Sequence, residues 1–146
     1  MDLKPKLRSG GAASSLCVFN QTRQTFLSLD ITVADNPWSR LRGLLGRRLL
    51  RTGDGVWVVP SRGVHTVGLL FPIDVIYLNE GLIVVHQAER VPPFRIAPIK
   101  VNCYSVLELA IRTIHRSDTH VGDQLRICSS EEIHSYGVRK AAVGNR

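Results

Sequence analysis

A mostly β (α+β) fold, a compact β-sandwich or barrel-like single domain with one or two short helices, is what the apolar pattern of this chain predicts. Three observations lead there. The apolar residues fall in short alternating or continuous runs, turn-forming residues separate those runs, and only brief stretches carry a helical period. A chain of 146 residues is one domain's worth, and such a domain buries roughly 68–70% of the surface its unfolded chain exposes. With 44% hydrophobic and only 6% aromatic residues, valine, isoleucine and leucine must fill the core.

Leu16 to Asn20 and Thr25 to Val33 alternate as strands and are separated by the polar stretch Gln21-Thr22-Arg23-Gln24, so a hairpin is expected. A helix should follow. Asp35 can cap it, Pro37 is tolerated in a first turn, and Trp38, Leu41, Leu44 and Leu45 fall on one face with arginines on the other, ending at Gly43 and Gly46. Gly55 to Val59 is a short strand stopped by Pro60. Ile73 to Leu78 and Leu82 to His86, joined by Asn79-Glu80-Gly81, give the strongest hairpin signal in the chain. Pro92-Pro93 and Pro98 break the next stretch into an irregular arm across one end of the fold. Order resumes with a strand from Tyr104 to Leu109, a short helix through Ile111 and Ile114, a turn at Gly122-Asp123 and a last strand from Gln124 to Ile127.

The folded unit is therefore placed at residues 16–128. Residues 1–15 and 129–146 lack apolar periodicity and are expected to be disordered or flexible tails. The net charge of +7 is spread over both tails and the core, with a local concentration at Arg40, Arg42, Arg47, Arg48 and Arg51. That distribution argues for a solvated helix face, and it allows at most weak, sequence-independent nucleic-acid contact. Cys17, Cys103 and Cys128 are an odd set with no two close in sequence, so they fit no disulfide framework or CxxC motif and read as buried thiols. No window is long and apolar enough for a membrane span, and the basic start has no apolar region behind it, so the sequence reads as cytoplasmic. The five scattered histidines argue against a metal centre, and no glycine-rich phosphate loop is present, so no cofactor is expected.

Asp74 is the most informative residue. It interrupts the apolar run Phe71 to Leu78, where aspartate is disfavoured and a lone buried carboxylate is costly unless paired. The nearest candidate partners in sequence are in Arg62-Gly63-Val64-His65-Thr66. Two readings compete. A carboxylate fixing the tautomer of His65 would make an acid/base pair. A carboxylate accepting hydrogen bonds from the 62–68 loop would be a structural latch, and this reading takes precedence because no nucleophile or third partner can be named.

Arg42-Gly43-Leu44-Leu45-Gly46-Arg47, then Gly63-Val64-His65-Thr66-x-Gly68-x-x-Phe71-Pro72-Ile73-Asp74-Val75, then Val106-Leu107-Glu108-Leu109 and Gly122-Asp123-Gln124-Leu125 occur in an order that closely resembles the prokaryotic domain of unknown function 192 family. The resemblance spans about Leu27 to Ile127 and implies a compact, β-rich, barrel-like domain without supplying an activity. It also places Arg47, whose guanidinium could bind a carboxylate or phosphate, inside a family motif. The chain departs from the family pattern at Leu69, where methionine is common, and at Ala110-Ile111-Arg112, where Pro-Ala-Gly is usual.

The resulting expectation is a non-catalytic binding or accessory module. Arg47, His65, Thr66 and Asp74 are its candidate binding residues, around a pocket near the 62–74 loop for a small polar or anionic ligand or a protein segment. A small hydrolase using His65 and Asp74 is the alternative, and weak nucleic-acid binding through the arginine-rich helix comes third. Oligomeric state is not legible in the sequence.

Overall fold

In a computed structural model of the chain, residues 15–35 and 50–135 are described. The helix expected after Asp35, with Arg42, Arg47 and Arg48, lies outside them, as do residues 1–14 and 136–146. The described elements are strands β1 (Leu16–Asn20), β2 (Thr25–Ala34), β3 (Asp54–Val58), β4 (Ile73–Leu78), β5 (Val84–Val91) and β6 (Ser105–Leu109), helix α1 (Thr113–Ser117), strand β7 (Leu125–Ser129) and helix α2 (Ser130–Ser135). Secondary structure thus continues past residue 128, where the sequence loses its apolar pattern, because Glu131 and Glu132 occupy the first turn of a short polar helix.

The fold is mostly β. Seven strands form one sheet in the order β5-β4-β6-β3-β2-β1-β7, and every pairing is antiparallel except β2 with β3. The sheet curls until the starts of its two edge strands come together. Val84 donates its amide to Asp123 O, Gly122 to Val84 O, and Leu125 to Leu82 O, and Ile83 bridges Gln124. These bonds satisfy edge groups that an open sheet would leave exposed, giving the barrel-like form.

The two-residue period of the strands sorts the core into two sets. Trp57, Ile76, Leu78, Leu107 and Leu109 join Val18, Leu27, Ile31 and Ile127 in one cluster. Val56, Ile73, Val75, Tyr77 and Val106 project to the opposite face, where they pack with Val64, Leu69 and Phe71 of the connection before β4 and with Ala97 and Cys103 of the arm after β5. All six residues of β4 are buried, as its apolar run predicts. Gly55 lets β3 sit close to its neighbours: a Cβ there would stand 2.7 Å from both Ile31 Cδ1 and Leu109 Cδ2. All three cysteines are buried thiols. Distant in sequence, Cys17 and Cys128 nonetheless face each other across the β1–β7 pair.

Candidate functional site

The connection from Ser61 to Pro72 has no regular secondary structure beyond an isolated bridge, yet its residues alternate. Val64, Thr66, Leu69 and Phe71 point inward, while His65, Val67 and Leu70 are exposed. Thr66 is the hub that ties this loop to the proline-rich arm. Its hydroxyl donates to Pro92 O (2.6 Å) and accepts from the Arg95 amide (2.8 Å). Its own amide donates to Arg95 O, and its carbonyl accepts from the amides of Leu69 and Phe94. A fully buried threonine whose polar groups are all engaged is a positioning residue. His65, beside it, pairs with Ile96 of the arm as an isolated bridge and presents its ring at the surface.

Asp74 is fully buried, and its partners lie elsewhere than the sequence suggests. Oδ1 accepts from the amide of Arg90 and Oδ2 from the amide of Ile114, each at 3.0 Å. The expected bonds to the 62–68 loop and to His65 are not the ones made. Strand alternation is the reason: the loop covers the face of β4 bearing Ile73 and Val75, and Asp74 projects to the other face. There it reaches the β4–β5 irregularity, where Arg90 has φ +51°, and the start of α1. The helix has Arg112 at its N-cap, in the left-handed region at φ +70°, with no side-chain cap of its own. Asp74 supplies the missing acceptor from a strand. Burial pushes its carboxyl up from the ordinary aspartate range, against the opposing pull of the two amides.

A second buried carboxylate was read from the sequence only as a turn residue. Asp123 Oδ2 accepts from Asn20 Nδ2 (3.0 Å), Arg23 Nε (3.0 Å) and the His120 amide (2.9 Å). Burial opposes its ionisation, but these donors outweigh that effect and hold its carboxyl below the ordinary range. It locks the β1–β2 turn to the segment that closes the sheet. The polar Gln21–Gln24 stretch, with Arg23 inside it, was the available signal.

An open cleft of about 630 Å³ lies at the foot of the 62–74 loop. Pro60, Ser61 and Arg62, the Asn79–Gly81 turn, and Val101 to Tyr104 line it; His65, Thr66 and Asp74 do not. Asn79 is spent internally, its Oδ1 accepting from the amides of Gly81 and Ile83. Cys103 Sγ donates toward Ser61 O and Ser105 O, and burial pushes this thiol up, away from the reactive thiolate. Among the described residues, no group of three or more His, Cys, Asp or Glu side chains is arranged to hold a metal ion.

Residues 18–127 match the family model of domain of unknown function 192, described as "Uncharacterized ACR". The chain belongs to this family. No curated protein matches it. Two solved structures share the fold. A protein of unknown function from Novosphingobium aromaticivorans has 18% identity and a TM-score of 0.64, with 76% of this chain and 82% of that one covered. A "putative transcription regulator" from Sinorhizobium meliloti has 21% identity and a TM-score of 0.63, with 80% and 97% covered. At these identities the likeness is one of fold alone.

Within this member of the domain of unknown function 192 family, the central motif from Gly63 to Val75 serves two separate sets of bonds. Thr66 fastens the loop to the arm, and Asp74 fastens β4 to β5 and α1. The departure at Arg112 falls on a left-handed backbone position, one that glycine adopts without penalty. Glu108, in the Val106–Leu109 motif, is a further fully buried carboxylate, on the β6 face shared with Val106.

Proposed function

We propose that the protein is a non-catalytic binding module that takes a small polar or anionic group in the cleft at the foot of the 62–74 loop. The observation that carries this reading is the set of uncommitted polar side chains on its wall. Among the described residues, Arg62, Asn102 and Tyr104 make no side-chain hydrogen bond or ion pair, whereas Asn79 and Cys103 beside them do. A guanidinium with an amide and a phenol nearby can bind a carboxylate or phosphate bidentately. Thr66 enters as a positioning residue, since it ties together the loop and the arm whose ends line the cleft, whereas Asp74 fastens β4 to β5 and α1. His65 is exposed on the same loop, three residues from Arg62. Arg47 remains a candidate on its sequence motif alone. The hydrolase alternative draws no support from Asp74, since both its oxygens are engaged by backbone amides and neither orients His65.

The test is an amide-detected NMR titration of the whole chain with inorganic phosphate and, separately, succinate. Saturable shifts confined to residues 60–62, 79–81 and 101–104, lost in Arg62→Ala at unchanged melting temperature, are expected. Absence of saturable shifts with either anion, or their persistence in Arg62→Ala, would remove the cleft as the site. His65→Ala should leave the melting temperature unchanged and weaken binding only if the ring reaches the ligand. Arg47→Ala reads out in the same titration whether that guanidinium contributes.

A further inference from the structure

Nine large apolar side chains are exposed among the described residues, and six of them sit on the two segments that Thr66 ties together. Val67 and Leu70 lie on the loop, and Phe94, Ile96, Ile99 and Val101 on the arm. Five of the six are about two-thirds exposed or more, Val101 at 88%, Ile96 at 82%, Ile99 at 74%, and Leu70 and Phe94 at 67% each. The same segments bury Val64, Leu69, Ala97 and Cys103 in the core, so the outward apolar set is additional to a complete inner one. Exposed apolar surface concentrated in this way marks an interaction site.

Phe94 strengthens the case. It holds φ +59°, a left-handed conformation that a bulky side chain adopts at a cost. Its amide is fixed to Thr66 O at 3.0 Å. The fold therefore enforces a strained backbone whose effect is to project an aromatic ring into solvent, a pattern found at functional sites. Around the apolar residues stand Arg62, Arg95 and Lys100, and neither 61–70 nor 92–104 contains an aspartate or glutamate.

From this we infer that the face made by residues 62–70 and 92–101 docks the protein on an anionic lipid surface. The charge is complementary to lipid headgroups, and basic side chains beside inserted apolar ones act together at a membrane interface. Shape favours the same occupant. Side chains exposed to this degree are projections, which a fluid headgroup layer accommodates and a folded partner would have to meet with matching holes. A second copy of the chain would bring like charges face to face around a twofold axis. No helix among the described residues is long and apolar enough to cross a membrane, and docking of this kind requires none.

Co-sedimentation of the full chain with vesicles tests the inference, using phosphatidylcholine alone and an equimolar mixture with phosphatidylglycerol. Binding to the mixed vesicles only, weakened by added salt, is expected. The pair Phe94→Asn with Ile96→Ser should lower partitioning by about tenfold or more while leaving the melting temperature unchanged, because these side chains are outside the core. Asparagine tolerates the left-handed backbone, so the variant keeps the loop. The pair Arg95→Gln with Lys100→Gln should abolish the preference for anionic vesicles. Failure to bind the mixed vesicles, equal binding to both kinds, or binding untouched by the apolar pair would overturn the inference. So would a dimer, or capture of poly-glutamate in place of vesicles, that the apolar pair alone removes. Neither pair includes a residue lining the cleft, so this experiment and the phosphate titration fail separately.

Discussion

Asp74 and Asp123 are both buried carboxylates, 0% and 3% exposed, and the molecule stabilises them by opposite means. Asp74 lies within the sheet, on the strand next to edge strand β5, and its carboxylate accepts only from backbone amides, those of Arg90 and Ile114. Asp123 lies where the sheet closes and adds to one amide the side chains of Asn20 and Arg23. Without a bonded cation, burial dominates and the Asp74 carboxyl is pushed up; with one, the donors dominate and the Asp123 carboxyl is pulled down. The comparison teaches that a buried aspartate in a strand does not by itself announce catalysis. What it does depends on which groups the fold brings to it. Here both are fasteners, and the uncommitted polar groups lie in a cleft that neither of them lines.

Four outcomes would sharpen or break this contrast. The largest effect belongs to Asp74→Ala, which leaves two buried amides without acceptors and should cost about 3–5 kcal/mol in chemical denaturation. A loss below about 1 kcal/mol would mean that water replaces the carboxylate and that α1 does not need it. Asp123→Ala should cost less, about 2–3 kcal/mol, because Arg23 is partly exposed and its share is screened by solvent. An equal or larger loss would reverse the ranking.

The third outcome is a pair of opposite pH slopes. Asp123 has a folded pKa below its unfolded one, so its contribution is fully present above the ordinary carboxylate range and is lost as pH falls through the depressed value. Asp74 has a folded pKa above its unfolded one, so its ionised form costs stability above the raised value, and acidification relieves that cost. Wild type should therefore gain stability relative to Asp74→Asn, and lose it relative to Asp123→Asn, as the pH falls through these windows. Parallel slopes would contradict the assigned directions. The smallest effect is expected from Arg112→Gly, which removes a left-handed arginine at the start of α1 and should stabilise by about 0.5–1 kcal/mol.

The strands were legible because each rests on local pattern. The Ile73–Leu78 run is buried on both faces, and the Asn79–Gly81 turn follows it as its residues predict. Pro60 ends β3, and the prolines after Val91 keep the arm irregular. The partners of Asp74 were not legible, since they lie 16 and 40 residues downstream, and proximity in sequence favoured a loop on the wrong face of the strand. The role of Asp123 was hidden for the same reason: Arg23 and Asn20 meet it from about a hundred residues away. Thr66 was singled out as a binding residue, yet its hydroxyl is spent inside the fold. A pocket was expected near the 62–74 loop, but the residues that line the cleft were not legible, because three separated segments build it, none with a motif of its own.

The central claim, that these two carboxylates are structural fasteners with opposite electrostatics, is tested most directly by their own titrations. Side-chain carboxyl carbon shifts of Asp74 and Asp123, followed by NMR across the acidic range in the intact protein, give both pKa values in one experiment. Asp74 should titrate above the ordinary aspartate value and Asp123 below it. An Asp74 that titrates at or below the ordinary value, or two residues displaced in the same direction, would contradict the account.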